Sequence, residues 1–307
     1  MSKLNIIMCT FNGEQYIEEQ IESILNNTYS QWKLIICDDG STDNTVNLIK
    51  KYESQYPDKI ILRQNKTNMG VIYNFLTPIL EYEADYYMFC DQDDVWLTDK
   101  IEHTLHLMKR KEKKYGYAVP ITVFSDAKVV NEKLEVRNSS FHKVSKLNIK
   151  KLDLPHMLME NKLIGCTMMF NAAVVKKIES LPSAARMHDW WIAIISASFG
   201  KIAYLNEATL LYRQHEKNVV GNQSFLSYVS NRVSSLKKQK IVLLNTIKQA
   251  ENFYELYKDD LLEIEKDIFE KFISLQDETV LKKRYLLIKY GFLKSGWIRN
   301  IGLLFII

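Results

Sequence analysis

Three carboxylates fall within four positions in Cys90-Asp91-Gln92-Asp93-Asp94, directly behind the apolar run Asp85-Tyr86-Tyr87-Met88-Phe89. A buried strand therefore empties into an acid cluster. Carboxylates this close repel one another and raise each other's pKa unless a cation neutralises them, so the cluster asks for a divalent metal, alone or with phosphate. An Asp-x-Asp at a strand's carboxyl end can hold Mg²⁺ or Mn²⁺ against a nucleotide's diphosphate. The structural alternative is an acidic turn capping a helix that starts near Thr98, where N-terminal acids are favourable.

Such a cluster needs a scaffold, and the first half of the chain supplies one by alternating strand and helix. Leu4–Thr10 reads as a strand, Tyr16–Asn26 as an amphipathic helix, and Trp32–Asp38 as a strand; Asp43–Ser54 reads as a helix begun by Ser41 or Thr42 as N-cap. Ile60–Gln64 is a third strand, Val71–Tyr82 a third helix and Tyr86–Cys90 a fourth strand. This alternation predicts an α/β protein with a doubly wound, mainly parallel sheet covered by helices on both faces. Its ligand site must lie at the strands' carboxyl ends. Those ends read Thr10-Phe11-Asn12-Gly13-Glu14, Asp38-Asp39-Gly40-Ser41-Thr42-Asp43, Asn65-Lys66-Thr67-Asn68-Met69-Gly70 and the acid cluster. None carries Gly-x-Gly-x-x-Gly or a Walker lysine, which disfavours a nicotinamide dinucleotide or a P-loop. A nucleotide can still bind, with Phe11 stacking on the base and Asp39 accepting from an imide N–H or the ribose. Taken singly, Asp38 and Asp39 read equally as a turn stabilised by side chain to backbone bonds.

With 307 residues, 47% of them hydrophobic, the chain can bury a large core, and the simplest division is a catalytic domain with an appendage. Cys9, Cys37, Cys90 and Cys166 show no paired metal spacing and read as small buried hydrophobes in a reducing compartment. The expectation is a cytoplasmic protein: a strand follows Met1 at once, leaving no room for a signal peptide, and no run reaches the roughly 18 apolar residues of a membrane span. Ser224–Ile307 holds 14 Lys/Arg against 10 Asp/Glu and so carries the whole net charge of +4. From Thr279 onward there are six basic residues and no acid, mixed with Trp, Phe and Leu. Such a segment suits an anionic membrane surface, and equally a helix packed on the domain or on a second subunit in a homodimer. Basic residues diluted by aliphatics argue against nucleic acid.

The combination of Thr10-Phe11-Asn12-Gly13, Ile17 with Ile21-Glu22-Ser23-Ile24-Leu25, Asp38-Asp39-Gly40-Ser41-Thr42-Asp43, Asn68-Met69-Gly70 and Asp91-Gln92-Asp93-Asp94 resembles the family 2 glycosyltransferases of the GT-A fold. The resemblance covers residues 1–223, which it implies are a nucleotide-sugar-dependent catalytic domain; 224–307 is then a helical C-terminal region. It implies an inverting transferase using a nucleotide-diphosphate sugar, dTDP- or UDP-linked, with Thr10, Phe11, Asn12, Glu14, Asp38, Asp39, Asn68, Gly70, Asp91, Gln92 and Arg213 around the donor. The segments Asp91-Gln92-Asp93-Asp94-Val95-Trp96, His188-Asp189-Trp190-Trp191 and Tyr212-Arg213-Gln214-His215-Glu216-Lys217-Asn218 look most like bacterial rhamnosyltransferases of cell-wall or capsular polysaccharide assembly. A UDP-hexose-dependent relative and a non-catalytic saccharide-binding subunit are the alternatives. The chain lacks the Gln-x-x-Arg-Trp motif and membrane spans of processive synthases, and its first loop lacks the glycine-rich, basic character of a nucleotidylyltransferase.

Inversion at an anomeric carbon requires the acceptor hydroxyl to lose its proton as it attacks, so one carboxylate suffices as base. Asp189 matches the family's base position, at the start of a helix read as His188–Ser198. Trp190 and Trp191 would present flat faces to sugar rings, with Asp94 on the acceptor side; alternatively Asp189 is a helix cap and the tryptophans are core. The resemblance further implies that Arg213, after the strand-like Ala208–Leu211, steadies a phosphate, and that His215 joins Asp91 and Asp93 as a ligand of Mn²⁺ or Mg²⁺. The acceptor is then a lipid-linked or other oligosaccharide at the inner membrane face. Ile121–Asp126 and Cys166–Asn171 read as further strands, and the polar segment Val136–Glu160, without clear period, as an acceptor loop or lid.

Overall fold

The computed structural model describes residues 3–215 and 236–307, in two compact units. The first comprises Met1–Val144, Leu163–Leu181 and Met187–Arg213; the second comprises Ser145–Lys162, Pro182–Arg186 and Gln214–Ile307. The boundary expected at residue 223, and the Glu216-Lys217-Asn218 part of the Tyr212 segment, lie outside the described residues.

In the first unit β1 (Leu4–Thr10), β2 (Trp32–Asp38), β3 (Ile60–Gln64) and β4 (Tyr86–Asp91) form a parallel group in the order β3-β2-β1-β4. The interior strands are almost wholly buried, which is why β2 reads Leu34-Ile35-Ile36-Cys37 with no polar alternation. The crossovers are α1 (Ile17–Leu25), α2 (Thr45–Gln55) and α3 (Val71–Glu81). On α1 the spacing of Ile17, Ile21 and Ile24 puts all three side chains in the core. A short β5 (Val95–Trp96) and α4 (Lys100–Tyr115) follow the acid cluster.

The sheet continues through β6 (Ile121–Val130), β7 (Val136–Asn138), β8 (Met168–Asn171) and β9 (Lys201–Arg213), with the single turn α7 (Ala172–Val175) directly after β8. Its order is β3-β2-β1-β4-β8-β6-β9-β5, with β7 beside β6. The pairs β4–β8, β6–β8, β5–β9 and β6–β7 are antiparallel, while the longer ladders β1–β2, β1–β4, β2–β3 and β6–β9 are parallel. β9 is much longer than the Ala208–Leu211 read from sequence, because register shifts against β6 leave its middle partly exposed and break the apolar pattern.

Two expectations are corrected. α2 starts at Thr45 with Asn44 before it, not at Asp43 behind Ser41 or Thr42. Those hydroxyls are already committed: Ser41 Oγ donates to Asp38 Oδ1 at 2.5 Å, and Thr42 Oγ1 to Asn12 Oδ1 at 3.3 Å. The segment 136–160 is not without structure, for it holds β7, α5 (Phe141–Val144) and α6 (Leu154–Met159). Buried Asp126 of β6 pins its first part, accepting from Ser140 Oγ, from the His142 N–H at 3.2 Å and from the His142 ring at 3.0 Å.

The second unit is helical: α6, α9 (Leu236–Tyr257), α10 (Glu263–Ile273), α11 (Val280–Tyr290) and α12 (Trp297–Ile306). Its core stacks Phe253 on Phe269 with 5.1 Å between ring centroids and sets Phe272 edge-on to Phe292 at 5.0 Å. Among the described residues no helix is long and apolar enough to cross a membrane.

Candidate functional site

β-Register places three loops side by side. Cys9 of β1 pairs with Cys37 of β2 on one side and with Asp91 of β4 on the other, and Thr10 pairs with Asp38. The first, second and fourth strand-end loops therefore leave the sheet at one edge.

These loops are stitched together by their own side chains. Asp38 is buried, and both its oxygens are filled by Thr10 Oγ1 (3.1 Å), Ser41 Oγ, and the N–H groups of Gly40 and Ser41 (3.1 and 3.0 Å). Direct contact of Asp38 with a nucleotide is thus corrected to an anchoring role. Asp39 Oδ1 accepts from Asn65 Nδ2 at 2.9 Å and from Met69 N–H at 2.7 Å, and Oδ2 from Gly70 N–H at 2.9 Å. Its Oδ2 keeps accepting capacity. Gly70 has φ +82°, a conformation natural to glycine, which lets α3 begin on that bond. Asn68 is exposed and its Oδ1 also accepts from Gly70 N–H at 3.1 Å.

The first loop is held as firmly. Asn12, at φ +49°, donates its N–H to Ser41 Oγ (2.9 Å) and accepts from Thr42 N–H (2.8 Å). Glu14 caps α2 by accepting from Asn44 N–H at 2.8 Å. Gln92 Oε1 accepts from the Phe11 N–H at 2.9 Å, while its Nε2 donates to the Phe11 carbonyl at 3.2 Å. The Phe11 ring is left 48% exposed.

Beside Gln92, Asp91 and Asp93 are half-buried and Asp94 is buried. One ligand atom each of Asp91, Asp94 and Cys166 lie within 4.8 Å of one another. Burial, then the charges of Asp93 and Asp189, push the Asp91 carboxyl up to about 7. Burial, then Asp93 and Asp91, raises Asp94 well above the carboxylate range. The donor set fits a hard divalent cation: carboxylate oxygens crowd together and would gain from neutralisation, whereas burial raises the Cys166 thiol and keeps it protonated. His215 belongs to the second unit.

Asp189 stands in the first turn of α8 (His188–Phe199), nearly buried, its Oδ1 accepting from Trp190 N–H at 2.6 Å. Its charge reaches Asp91, so candidate base and acid cluster share one electrostatic site. Gly165 makes room for it: a Cβ there would lie 3.6 Å from Asp189 Oδ2 and 3.0 Å from His188 Nε2.

Three further expectations are corrected. Trp191 is wholly buried and Trp190 nearly so, which makes them core beneath the site instead of faces for a sugar. Asp94 is turned into the protein, its Oδ1 accepting from the Arg213 N–H at 3.1 Å, and offers an acceptor no surface. Arg213 is buried and its fork is spent on its own chain: Nε donates to the Asp93 carbonyl (2.7 Å), Nη1 to the Glu132 carbonyl (2.6 Å), and Nη2 pairs with Glu19. It clamps the acid loop where a phosphate contact was expected.

Sequence reasoning missed Gly165 and Lys100, and quoted His188 only as part of a motif, with no role of its own. Lys100 is fully buried, donates to the Cys166 carbonyl at 2.9 Å, and lies 4.6 Å over the Trp96 ring. Burial lowers its pKa to about 8. In sequence it looks like any lysine opening a helix, so no signal announced it. The four cysteines are free, with Cys37, Cys90 and Cys166 buried and Cys9 partly so.

The chain is similar to known proteins along this architecture. It is 29% identical over 231 residues to the dTDP-rhamnosyl transferase RfbG of Shigella flexneri, covering 71% of this chain and 75% of RfbG. It is 23% identical over 224 residues to TuaG of Bacillus subtilis, named for teichuronic acid biosynthesis, covering 72% and 82%. Among solved structures, S. aureus TarS 1-349 in complex with UDP-GlcNAc superposes with a TM-score of 0.60 at 17% identity over 94% of this chain and 80% of that one. The mannosyltransferase PcManGT from Pyrobaculum calidifontis, in complex with GDP-Man and Mn²⁺, gives 0.56 at 15% identity over 99% and 79%. The fold is thus GT-A, the glycosyltransferase architecture expected from the sequence. The model of glycosyl transferase family 2 matches residues 5–178, more than half of the chain, and the protein belongs to that family.

Proposed function

We propose that the chain is an inverting, metal-dependent transferase that moves a sugar from a nucleotide diphosphate to a saccharide hydroxyl in bacterial cell-wall or capsular polysaccharide assembly. The observation that carries this reading is the proximity of Asp189 to the crowded acids at the sheet edge where Phe11 is exposed. Phe11 stacks on the base and Asp39 Oδ2 accepts from it. Asp91 and Asp93 would hold a Mn²⁺ or Mg²⁺ ion, with His215 nominated by the sequence resemblance as a further ligand. When bound, that ion supplies positive charge for the departing diphosphate. Asp189 takes the proton from the acceptor oxygen as that oxygen bonds to the anomeric carbon and the bond from that carbon to the diphosphate breaks.

The preferred donor is dTDP-β-L-rhamnose, giving an α-linkage; likeness to a named dTDP-rhamnosyl transferase supports it. The proposed acceptor is a lipid-linked oligosaccharide at the inner membrane face. Calorimetric titration of dTDP-rhamnose and UDP-hexoses, with and without Mn²⁺, tests the donor, and binding indifferent to metal counts against the scheme. Asp189→Asn is expected to keep donor binding and lose transfer by about 10³-fold. Loss of donor binding instead would reassign that residue.

A further inference from the structure

In the second unit α11 and α12 each carry two apolar faces. Leu286 and Leu287 of α11, and Leu303 and Ile306 of α12, are buried. A second set faces solvent: Leu281 (80% exposed), Tyr285 and Ile288 (70%) on α11, spaced four and three apart as one helical stripe. On α12 it is Trp297 (73% exposed), Ile298, Ile301 and Phe305 (73%), again at stripe spacing. Arg284 ties the two helices, donating from Nε and Nη2 to the Leu304 carbonyl at 3.3 and 3.0 Å. So many large side chains in solvent on two joined helices exceed the scatter of an ordinary surface.

The charge carried by these two helices themselves is of one sign. Lys282, Lys283, Arg284, Lys289, Lys294 and Arg299 are the charged residues between Thr279 and Ile307, and no acid occurs there. Arg284 and Arg299 are engaged within the unit, the latter with Glu160 at 2.9 Å, and Lys283 donates to the Gln276 carbonyl at 3.1 Å, while Lys282 and Lys289 are exposed. Lys282 also pairs with Glu278 at 2.6 Å. We propose that this surface docks on an anionic lipid bilayer, with α11 and α12 lying in the headgroup region. Trp297, Phe305, Leu281 and Ile288 enter the acyl boundary and the lysines face lipid phosphates. Eleven- and ten-residue helices are far too short to span a bilayer, so they lie on it. A second copy of the chain fits less well, because pairing these stripes would set the cations of one copy against those of the other, and neither helix carries an acid of its own.

This surface supplies the location that a lipid-linked acceptor demands and rests on the proposed function for that purpose alone. Its test needs no donor: the full chain is sedimented with vesicles of phosphatidylcholine, with and without phosphatidylglycerol. Trp297 is the exposed tryptophan, since Trp32, Trp96, Trp190 and Trp191 are buried, so its fluorescence reports insertion. The expected result is binding to the anionic vesicles, a blue shift, and release by salt. Lys282→Gln with Lys289→Gln is expected to weaken binding by about tenfold or more. Trp297→Ser with Phe305→Ser should weaken it at least as much, with circular dichroism unchanged. Absence of binding, equal binding to neutral vesicles, or a dimer in analytical ultracentrifugation that the same substitutions dissolve would overturn the proposal. None of these outcomes bears on whether Asp189 is the base.

Discussion

The side-chain amide of Gln92 brackets the backbone of Phe11, accepting from its N–H at 2.9 Å and donating to its carbonyl at 3.2 Å. A Cβ at Gly13 would stand 2.2 Å from Gln92 Oε1, so only glycine leaves this bracket intact. Gly13→Ala is therefore expected to displace Gln92 and loosen Phe11, raising donor KM about tenfold with little change in kcat. Donor titration at saturating acceptor checks this. Adding Gln92→Ala to Gly13→Ala should cost little more, since both remove the same contact. Full additivity would separate the glycine from the bracket.

The acids at the strand ends were legible because the apolar strand periods located them: the edges of β1, β2 and β3 fall where the sequence put them, and the topology rule then named the face. What those side chains do was less legible. Asp38 and Arg213 are chemistry-bearing residue types at the right place, yet their partners, Ser41 for one and Glu19 and Glu132 for the other, are set by loop packing that no periodicity encodes. Trp190 and Trp191 show the same limit, because α8 is apolar nearly all round and its sequence cannot say which face meets a ligand. His188 and Lys100 are buried polar groups whose environment comes from distant strands and loops, and isolated residue identity carries no trace of it.

Titration of Asp91 ties metal affinity to pH. Its carboxyl is raised from 3.8 to about 7, first by burial and then by Asp93 and Asp189. The folded chain thus holds a proton that the unfolded chain releases, so without metal this group lowers stability as pH rises from about 4 to about 7. A divalent ion must displace that proton, and its affinity should fall by up to about tenfold per pH unit below 7. Mn²⁺ is accordingly expected to raise Tm more at about pH 8 than at about pH 6. Equal shifts in thermal unfolding at the two pH values would remove Asp91 from the ligand set.

Arg213→Lys tests the clamp. Three acceptors surround the guanidinium, and it lies 4.7 Å over the Tyr16 ring. One ammonium cannot reach the Asp93 and Glu132 carbonyls and Glu19 together, and the unmet carbonyls are expected to cost about 2–3 kcal/mol. Urea unfolding should show a lower midpoint with an unchanged slope. Glu19→Gln should cost less, because the Glu19 side chain is half exposed and its pairing is screened. If the lysine variant is as stable as the parent but binds donor weakly, Arg213 serves the phosphate after all.

Gly165 bears most directly on the base. A methyl there would lie 3.0 Å from His188 Nε2 and 3.4 Å from Asp189 Cβ, closer than neighbours normally come in the first case. His188 has little freedom to yield: its ring stacks on Phe75 at 3.8 Å and meets Phe89 edge-on at 4.8 Å, and burial lowers its pKa to about 3, keeping it neutral. The strain of Gly165→Ala must then pass to the start of α8 and carry Asp189 with it. Displacement of a general base by a few tenths of an ångström is expected to lower kcat by about 10–100-fold while donor KM stays nearly constant. His188→Ala in the same background opens space beside the new methyl and should restore part of the loss. A Gly165→Ala enzyme with parental kcat would mean that the proton leaves the acceptor by some group other than Asp189.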